Sequence, residues 1–260
     1  NSDLKPDLLW SKSRTASHNH GLYDSTRGVT KFLRSNATSA ETTASAGFDL
    51  TSFNTDGFST GNNQYNTICG NTGYVAWQWK ANGGTTATNN DGNRTTTVQA
   101  NTTAGFSIVT YLSNGSASNQ TLGHGLGVAP DVIISKRRGA TTDWLVYHKS
   151  LGVGSIIYLN SSAASSTSSP PYKDTPTSTV FSTQNQFQST DNFVSYCFAE
   201  KQGYSKFGKY VGNGNANGPF VYTGFKPAMV IMKRTDSTGS WHLFDNKRLG
   251  YNINNNVLLS

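Results

Sequence analysis

Apolar positions along this chain fall in short alternating runs, separated by polar stretches rich in Gly, Asn, Ser and Thr. Val132, Ile134 and Lys136 share one face if their segment is a strand, and Met229, Ile231 and Lys233 do the same. Strand-like segments return roughly every 8–14 residues, the spacing of a sandwich or barrel. No apolar run approaches the ~18 residues of a membrane-spanning helix. The 162–191 stretch, rich in Ser and Thr and carrying Pro170-Pro171 and Pro176, predicts a long loop.

The pattern recurs at fixed offsets, the signature of internal repetition. Pro6-Asp-Leu-Leu-Trp-Ser-Lys12, Pro130-Asp-Val-Ile-Ile-Ser-Lys136 and Pro227-Ala-Met-Val-Ile-Met-Lys233 align without gaps. A second apolar run follows each, ending at Asp24, His148 and Asp245. His20, Trp144 and Trp241 share one offset, and Gly28, Gly152 and Gly250 close the segments. Tyr74-Val-Ala-Trp-Gln-Trp79 matches Phe193-Val-Ser-Tyr-Cys-Phe198. Phe106-Ser-Ile-Val-Thr-Tyr111 matches Phe207-Gly-Lys-Tyr210.

These matches predict an all-β fold of tandem β-sandwich repeats, jelly-roll or concanavalin-like, each of about 100 residues. Residues 1–82 form the first repeat, lacking its first strand. Residues 83–103 are a Gly/Thr/Asn-rich insert or linker. Residues 104–203 form the second repeat, and 204–260 the start of a third, cut short as in a piece of a longer repetitive protein. A core is expected from Trp10, Trp77, Trp79, Tyr147 and Phe198. A hairpin turn midway between the two apolar runs sets Lys12 opposite Asp24, Lys233 opposite Asp245 and Lys136 opposite His148.

Composition sharpens this picture. Thr (32), Ser (31), Asn (26) and Gly (26) make up 115 of the 260 residues, which suits turns and polar surface. The 13 Phe, 12 Tyr and 5 Trp supply a core, so the polar bias does not mean disorder. With two Glu and two Met, long helices are disfavoured. The net charge of +7 permits attraction to anionic surfaces, with solubility as the plainer reading. Its densest basic cluster, Lys136-Arg137-Arg138, is short for a nucleic-acid arm, and no specific nucleic-acid partner is expected. Cys69 and Cys197 read as two separate thiols rather than a bridge.

Candidate chemistry is sparse. His18 and His20 could present two imidazoles on one face, but a pair in a turn is more often solvated. Gly123-His-Gly-Leu-Gly127 lacks the Lys-Ser/Thr of a phosphate loop and reads as a turn. Glu41 and Glu200 lie in different repeats, so no carboxylate pair for glycoside hydrolysis is apparent. No catalytic, metal or cofactor residue is assigned; the expectation is no enzyme and no cofactor, with the ligand-binding residues unknown.

The Pro-Asp-x-x-x-x-Lys, Tyr74-Val-Ala-Trp-x-Trp-Lys-Ala81 and Gly203-Tyr-Ser-Lys-Phe-Gly-Lys-Tyr-Val-Gly-Asn-Gly214 motifs, with Gly218-Pro-Phe-Val-Tyr-Thr-Gly-Phe-Lys-Pro227, resemble repeats in virion proteins of marine and cyanobacterial tailed phages. The resemblance implies a tail fibre or host-recognition adhesin on the virion surface, hence extracellular and not inserted in a membrane. It implies other virion proteins, a homo-oligomer such as a trimer, and host polysaccharide or lipopolysaccharide as partners. A structural virion or filament component assembling chain to chain is the alternative, and a polysaccharide depolymerase a third.

Overall fold

Hairpins organise the molecule. The computed structural model describes residues 3–115, 119–184, 187, 190–248 and 258–259. Gly250, expected to close the third segment, lies outside the described residues. The described chain is all-β, built from antiparallel sheets. Its strands are β1 (Leu8–Ser13), β2 (Gly21–Asp24), β3 (Lys31–Leu33), β4 (Thr42–Thr43), β5 (Leu50–Asn54), β6 (Gly57–Thr60), β7 (Tyr74–Trp79), β8 (Ala87–Asn89), β9 (Thr96–Asn101) and β10 (Phe106–Leu112). There follow β11 (Gln120–Gly123), β12 (Val132–Arg137), β13 (Leu145–His148), β14 (Ile157–Tyr158), β15 (Val180–Thr183), β16 (Asn192–Phe198), β17 (Met229–Met232), β18 (His242–Asp245) and β19 (Leu258–Leu259).

The three matched segments form the hairpins β1–β2, β12–β13 and β17–β18, one in each of three sheets. The first sheet runs β4-β3-β2-β1-β7 and the second β14-β13-β12-β16-β10-β9-β8; the third is β17-β18-β19. The order β3-β2-β1-β7 has the same pattern as β14-β13-β12-β16. Register matches too: Leu8, Trp10 and Lys12 lie opposite Trp79, Trp77 and Val75. Val132, Ile134 and Lys136 lie opposite Phe198, Tyr196 and Val194.

Period-two alternation decides what each face buries. On the inward face Leu8, Trp10, Leu22 and Trp77 of the first sheet meet Phe106, Val132, Val194 and Tyr196 of the second and Leu243 of the third in one core. Trp79 and Phe198 pack against its edge, and their rings meet at 6.2 Å. The outward face of the first sheet buries Leu9, Tyr23 and Phe32 with Leu50 and Ile68. The outward face of the second buries Ile133, Tyr147 and Cys197 beneath the β11–β15 pair and the ring of Tyr172. Tyr147 therefore belongs to this second core rather than the shared one. Two of the sheets are thus buried on both faces, as in a sandwich.

Two stretches differ from the expectation. Residues 83–103, read as a loop or linker, supply β8 and β9, which extend the second sheet beyond β10. Thr96, Val98 and Gln99 are buried there, and Thr96 Oγ1 donates to the Gly123 carbonyl at 2.9 Å. Thr is a good strand residue whose hydroxyl can be satisfied by backbone, so a polar composition concealed a strand. The 162–191 loop likewise contains β15 and the buried Tyr172, whose hydroxyl donates to Ser135 Oγ at 2.9 Å. Gly105 is required where β9 turns into β10: its φ is +70° and a Cβ there would strike the Ala199 carbonyl.

Candidate interaction site

The expected Lys–carboxylate pairs do not form. The turns are offset, so Asp24 lies opposite Leu8 and Asp245 opposite Met229, not opposite the lysines. Each Lys instead folds over its own turn and donates to carbonyls: Lys12 Nζ to Ala16 (3.2 Å) and His18 (2.9 Å), Lys136 Nζ to Arg137 (2.9 Å) and Ala140 (3.2 Å). Lys233 Nζ reaches Arg234 (2.7 Å) and two carbonyls of the second segment, Ser162 (3.3 Å) and Ala163 (2.8 Å). An ammonium with three donors suits such a turn better than a single cross-strand carboxylate. Lys136 is fully buried, and burial pushes its pKa down to about 8.

The carboxylates find arginines three residues on. Arg27 Nε donates to Asp24 and Arg27 Nη2 to the Leu22 carbonyl (3.0 Å). Arg248 Nε donates to Asp245 (2.7 Å) and its Nη2 to the Leu243 carbonyl (2.9 Å). Both pairs are nearly excluded from water. The middle hairpin has His148 and Leu151 at these positions; His148 Nδ1 accepts from the Ser150 amide at 3.1 Å. An Asp-x-x-Arg spacing in both outer segments was the signal that could have revealed this.

These pairs lie where the hairpins meet. Tyr196 on β16 donates its hydroxyl to Asp24 at 2.7 Å, and Trp77 on β7, its aligned counterpart, donates Nε1 to Asp245 at 3.2 Å. The second segment thus reaches the first, and the first reaches the third. Three further bonds recur at matching offsets. Trp144 Nε1 donates to the Arg34 carbonyl (2.8 Å), and Trp241 Nε1 to the Tyr158 carbonyl (2.9 Å). Thr142 N meets Thr38 O as Gly239 N meets Ser162 O; Glu41 N meets Arg138 O as Ser165 N meets Thr235 O. One packing operation relates the first hairpin to the second and the second to the third.

The remaining sequence candidates serve this framework. Glu41 pairs with Arg138 (2.8 Å) and Arg27 (3.0 Å). Burial alone would raise its pKa, but these two guanidinium groups outweigh it and hold the carboxyl below its ordinary value. Glu200 pairs with Lys206 at 2.6 Å. The two glutamates therefore sit in separate ion-pair clusters. Two of the three basic residues in the cluster are neutralised internally, since Arg137 pairs with Asp191 (2.8 Å) and Arg138 with Glu41. His20 is buried and accepts Trp10 Nε1 at 2.9 Å, whereas His18 lies half-buried beside Tyr74. His124 braces the Gly123–Gly127 turn, accepting the Leu126 amide at 3.2 Å. Among the described residues no group of three or more His, Cys, Asp and Glu could hold a metal ion. Neither cysteine is in a disulfide.

The outer surface of the third hairpin and the chain leading to it stand apart. Residues 206–227 contain no strand, although Phe207–Tyr210 matches part of β10 in sequence. They expose Tyr210, Val211, Phe220, Val221 and Tyr222, with Val211 87% and Phe220 89% accessible. Val230 and Ile231 of β17 are each 38% exposed. At the positions matching Val230, Leu9 and Ile133 are fully buried. Exposed large apolar side chains make this segment the candidate interaction surface among the described residues.

A family model described as Domain of unknown function (DUF7483) matches residues 1–260, so the chain belongs to that family. No curated protein and no solved structure matches the chain.

Proposed function

We propose that this member of the DUF7483 family is a non-enzymatic structural component of a phage virion surface, a fibre-type module that assembles chain to chain. In this reading its hairpins are copies of one β-sandwich unit of about 100 residues, added one after another by a fixed junction. The observation that carries it is the recurrence of the same backbone and indole bonds at two successive junctions. The exposed apolar stretch before β17 supports the assembly part, because other virion proteins or further copies, as in a homotrimer, would cover it. The test is electron microscopy of purified phage particles labelled with an antibody against the chain. Label along the fibres is expected; label confined to infected-cell debris would overturn the reading.

A second reading, a host-recognition adhesin for a cell-surface polysaccharide or lipopolysaccharide, draws on the exposed rings of Tyr204, Tyr210 and Tyr222 and the exposed Asn213, Asn215 and Asn217 between them in sequence. Rings with adaptable polar neighbours suit sugar faces. Adsorption to host cells that survives replacement of all three tyrosines by serine would remove it.

A further inference from the structure

The Gly123–Gly127 turn leads from β11 towards β12 and holds His124 with no exposed surface. The Leu126 amide donates to His124 Nδ1 at 3.2 Å, so Nδ1 keeps its lone pair and Nε2 carries the ring proton. Nε2 donates to the Thr177 carbonyl at 3.2 Å, and the His124 amide to the Thr179 carbonyl at 3.2 Å. The ring thus clips the turn to the 172–179 loop, and only the neutral ring can make both bonds. What it fastens is a cover. β11 and β15 form a separate two-stranded sheet over the outward face of the second sheet, where Leu122, Leu126 and Phe181 close the core around Tyr172. The 93–96 segment also holds this cover, by neutral hydrogen bonds: the Thr121 amide to Asn93 Oδ1 (2.9 Å), the Arg94 amide to the Thr121 carbonyl (3.2 Å) and Thr96 Oγ1 to the Gly123 carbonyl (2.9 Å).

We infer that His124 is an acid-released latch for the β11–β15 cover. A proton on Nδ1 sets two N–H groups face to face and leaves an imidazolium with no exposed surface. The cover must lift for that charge to reach water. Burial holds the His124 pKa below its ordinary 6.5, while the Thr177 carbonyl and the Asp91 carboxylate act in the opposite sense. Arg94, on the same loop as Asp91, directs its guanidinium to the Leu112 carbonyl at 2.8 Å. The 172–179 loop brings Lys173 and Asp174, and β9, β11 and β15 bring no charged residue. The closed form therefore binds the proton more weakly than the open one. Above about pH 6.5 neither holds it and the cover stays shut. Below that, acid favours opening by up to about tenfold per pH unit, until the closed form is protonated as well. Lifting the cover bares Leu122, Tyr172 and Phe181, an apolar face hidden at neutral pH.

The test follows the whole chain, labelled with nitrogen-15, by NMR as the pH is lowered from neutral. The His124 ring is expected to show an unprotonated Nδ1 at neutral pH and to titrate below 6.5. Amide exchange, corrected for its intrinsic pH dependence, should speed up in the same range at residues 120–126 and 179–183, by up to about tenfold per pH unit. Residues 106–112 and 192–198 of the sheet beneath should stay protected. A dye that fluoresces on apolar surface should bind with the same midpoint. His124→Gln offers an acceptor and a donor without titrating, so it should keep the cover shut through this range. Asp91→Asn should move the step to lower pH, and Asp174→Asn should leave it in place. An acid step that persists in His124→Gln would overturn the inference. So would loss of protection that takes in residues 106–112 at the same pH, since that is unfolding of the sheet. Should His124→Gln fail to fold, the wild-type titration decides alone: protonation of His124 with exchange at 120–126 unchanged is the refuting result.

Discussion

The buried Asp24–Arg27 pair makes the sharpest claim about stability. Arg27 has no solvent-exposed side-chain surface, and its guanidinium is shared among Asp24, Glu41, the Leu22 carbonyl and the Tyr196 hydroxyl. Asp24→Asn removes the main countercharge while Arg27 stays desolvated. Breaking a buried pair in this way costs about 3–5 kcal/mol. Domains of ordinary stability have only about 5–15 kcal/mol in total, so the loss is a large fraction. In a chain of this size it lowers Tm by roughly 6–20 °C. The middle hairpin supplies the compensating chemistry, with His148 and Leu151 in place of Asp and Arg. The double variant Asp24→His, Arg27→Leu removes both charges together and is expected to be more stable than Asp24→Asn. Urea unfolding followed by tryptophan fluorescence, carried through the double-mutant cycle, measures the coupling. Coupling of about 2 kcal/mol or more is expected. Additive effects within about 0.5 kcal/mol would refute the claim that this pair is a charge-neutralising unit.

Three other consequences follow from the same geometry. Trp144→Phe and Trp241→Phe each remove the indole donor from a carbonyl at equivalent junctions, Arg34 and Tyr158, leaving it one backbone amide (Ala37 and Ser161), and calorimetry should find each costing about 0.5–1.5 kcal/mol; a loss at one junction only would deny their equivalence. Lys136 has its pKa lowered to about 8 from 10.5. Below pH 8 it is charged both folded and unfolded; between about 8 and 10 only the unfolded chain holds the proton, so the contribution of this residue to stability rises with pH across that window, opposed from about pH 9 by the two thiols, which ionise first in the unfolded chain. Above about 10 the buried phenols of Tyr111, Tyr172 and Tyr196, whose pKa values burial raises, reverse the trend as the unfolded chain ionises. The urea midpoint of the wild-type chain relative to that of Lys136→Met should therefore rise between about pH 8 and 10, and a difference that stays constant would deny the lowered pKa. Burial pushes the Cys197 thiol up to about 12, and burial with the nearby Asp49 carboxylate pushes Cys69 to about 11. Neither should react quickly with a thiol-specific disulfide reagent at pH 8 until urea is added; prompt reaction of Cys197 in the native chain would contradict its burial.

Much of the scaffold could be read in the sequence because alternation and fixed offsets report on faces and on equivalent positions, and both are local quantities. The hairpins β1–β2, β12–β13 and β17–β18 stand where the matched segments lie. What alternation does not encode is the register of the turn. A turn displaced from the midpoint moved Lys12 away from Asp24 and gave each its own partner, the loop carbonyls for the lysine and Arg27 for the aspartate. Composition misled for a related reason. The Thr-rich 96–101 segment becomes β9 because its neighbour β10 offers a ladder and Gly123 accepts a threonine hydroxyl, and both partners are remote in sequence. The sequence of Phe207–Tyr210 argues the converse: it resembles part of β10 yet forms no strand, since β10 is held between β9 and β16 and no described strand flanks these residues. In this fold a strand is a property of its neighbours as much as of its own residues, which is why the same motif is buried in the second segment and exposed in the third.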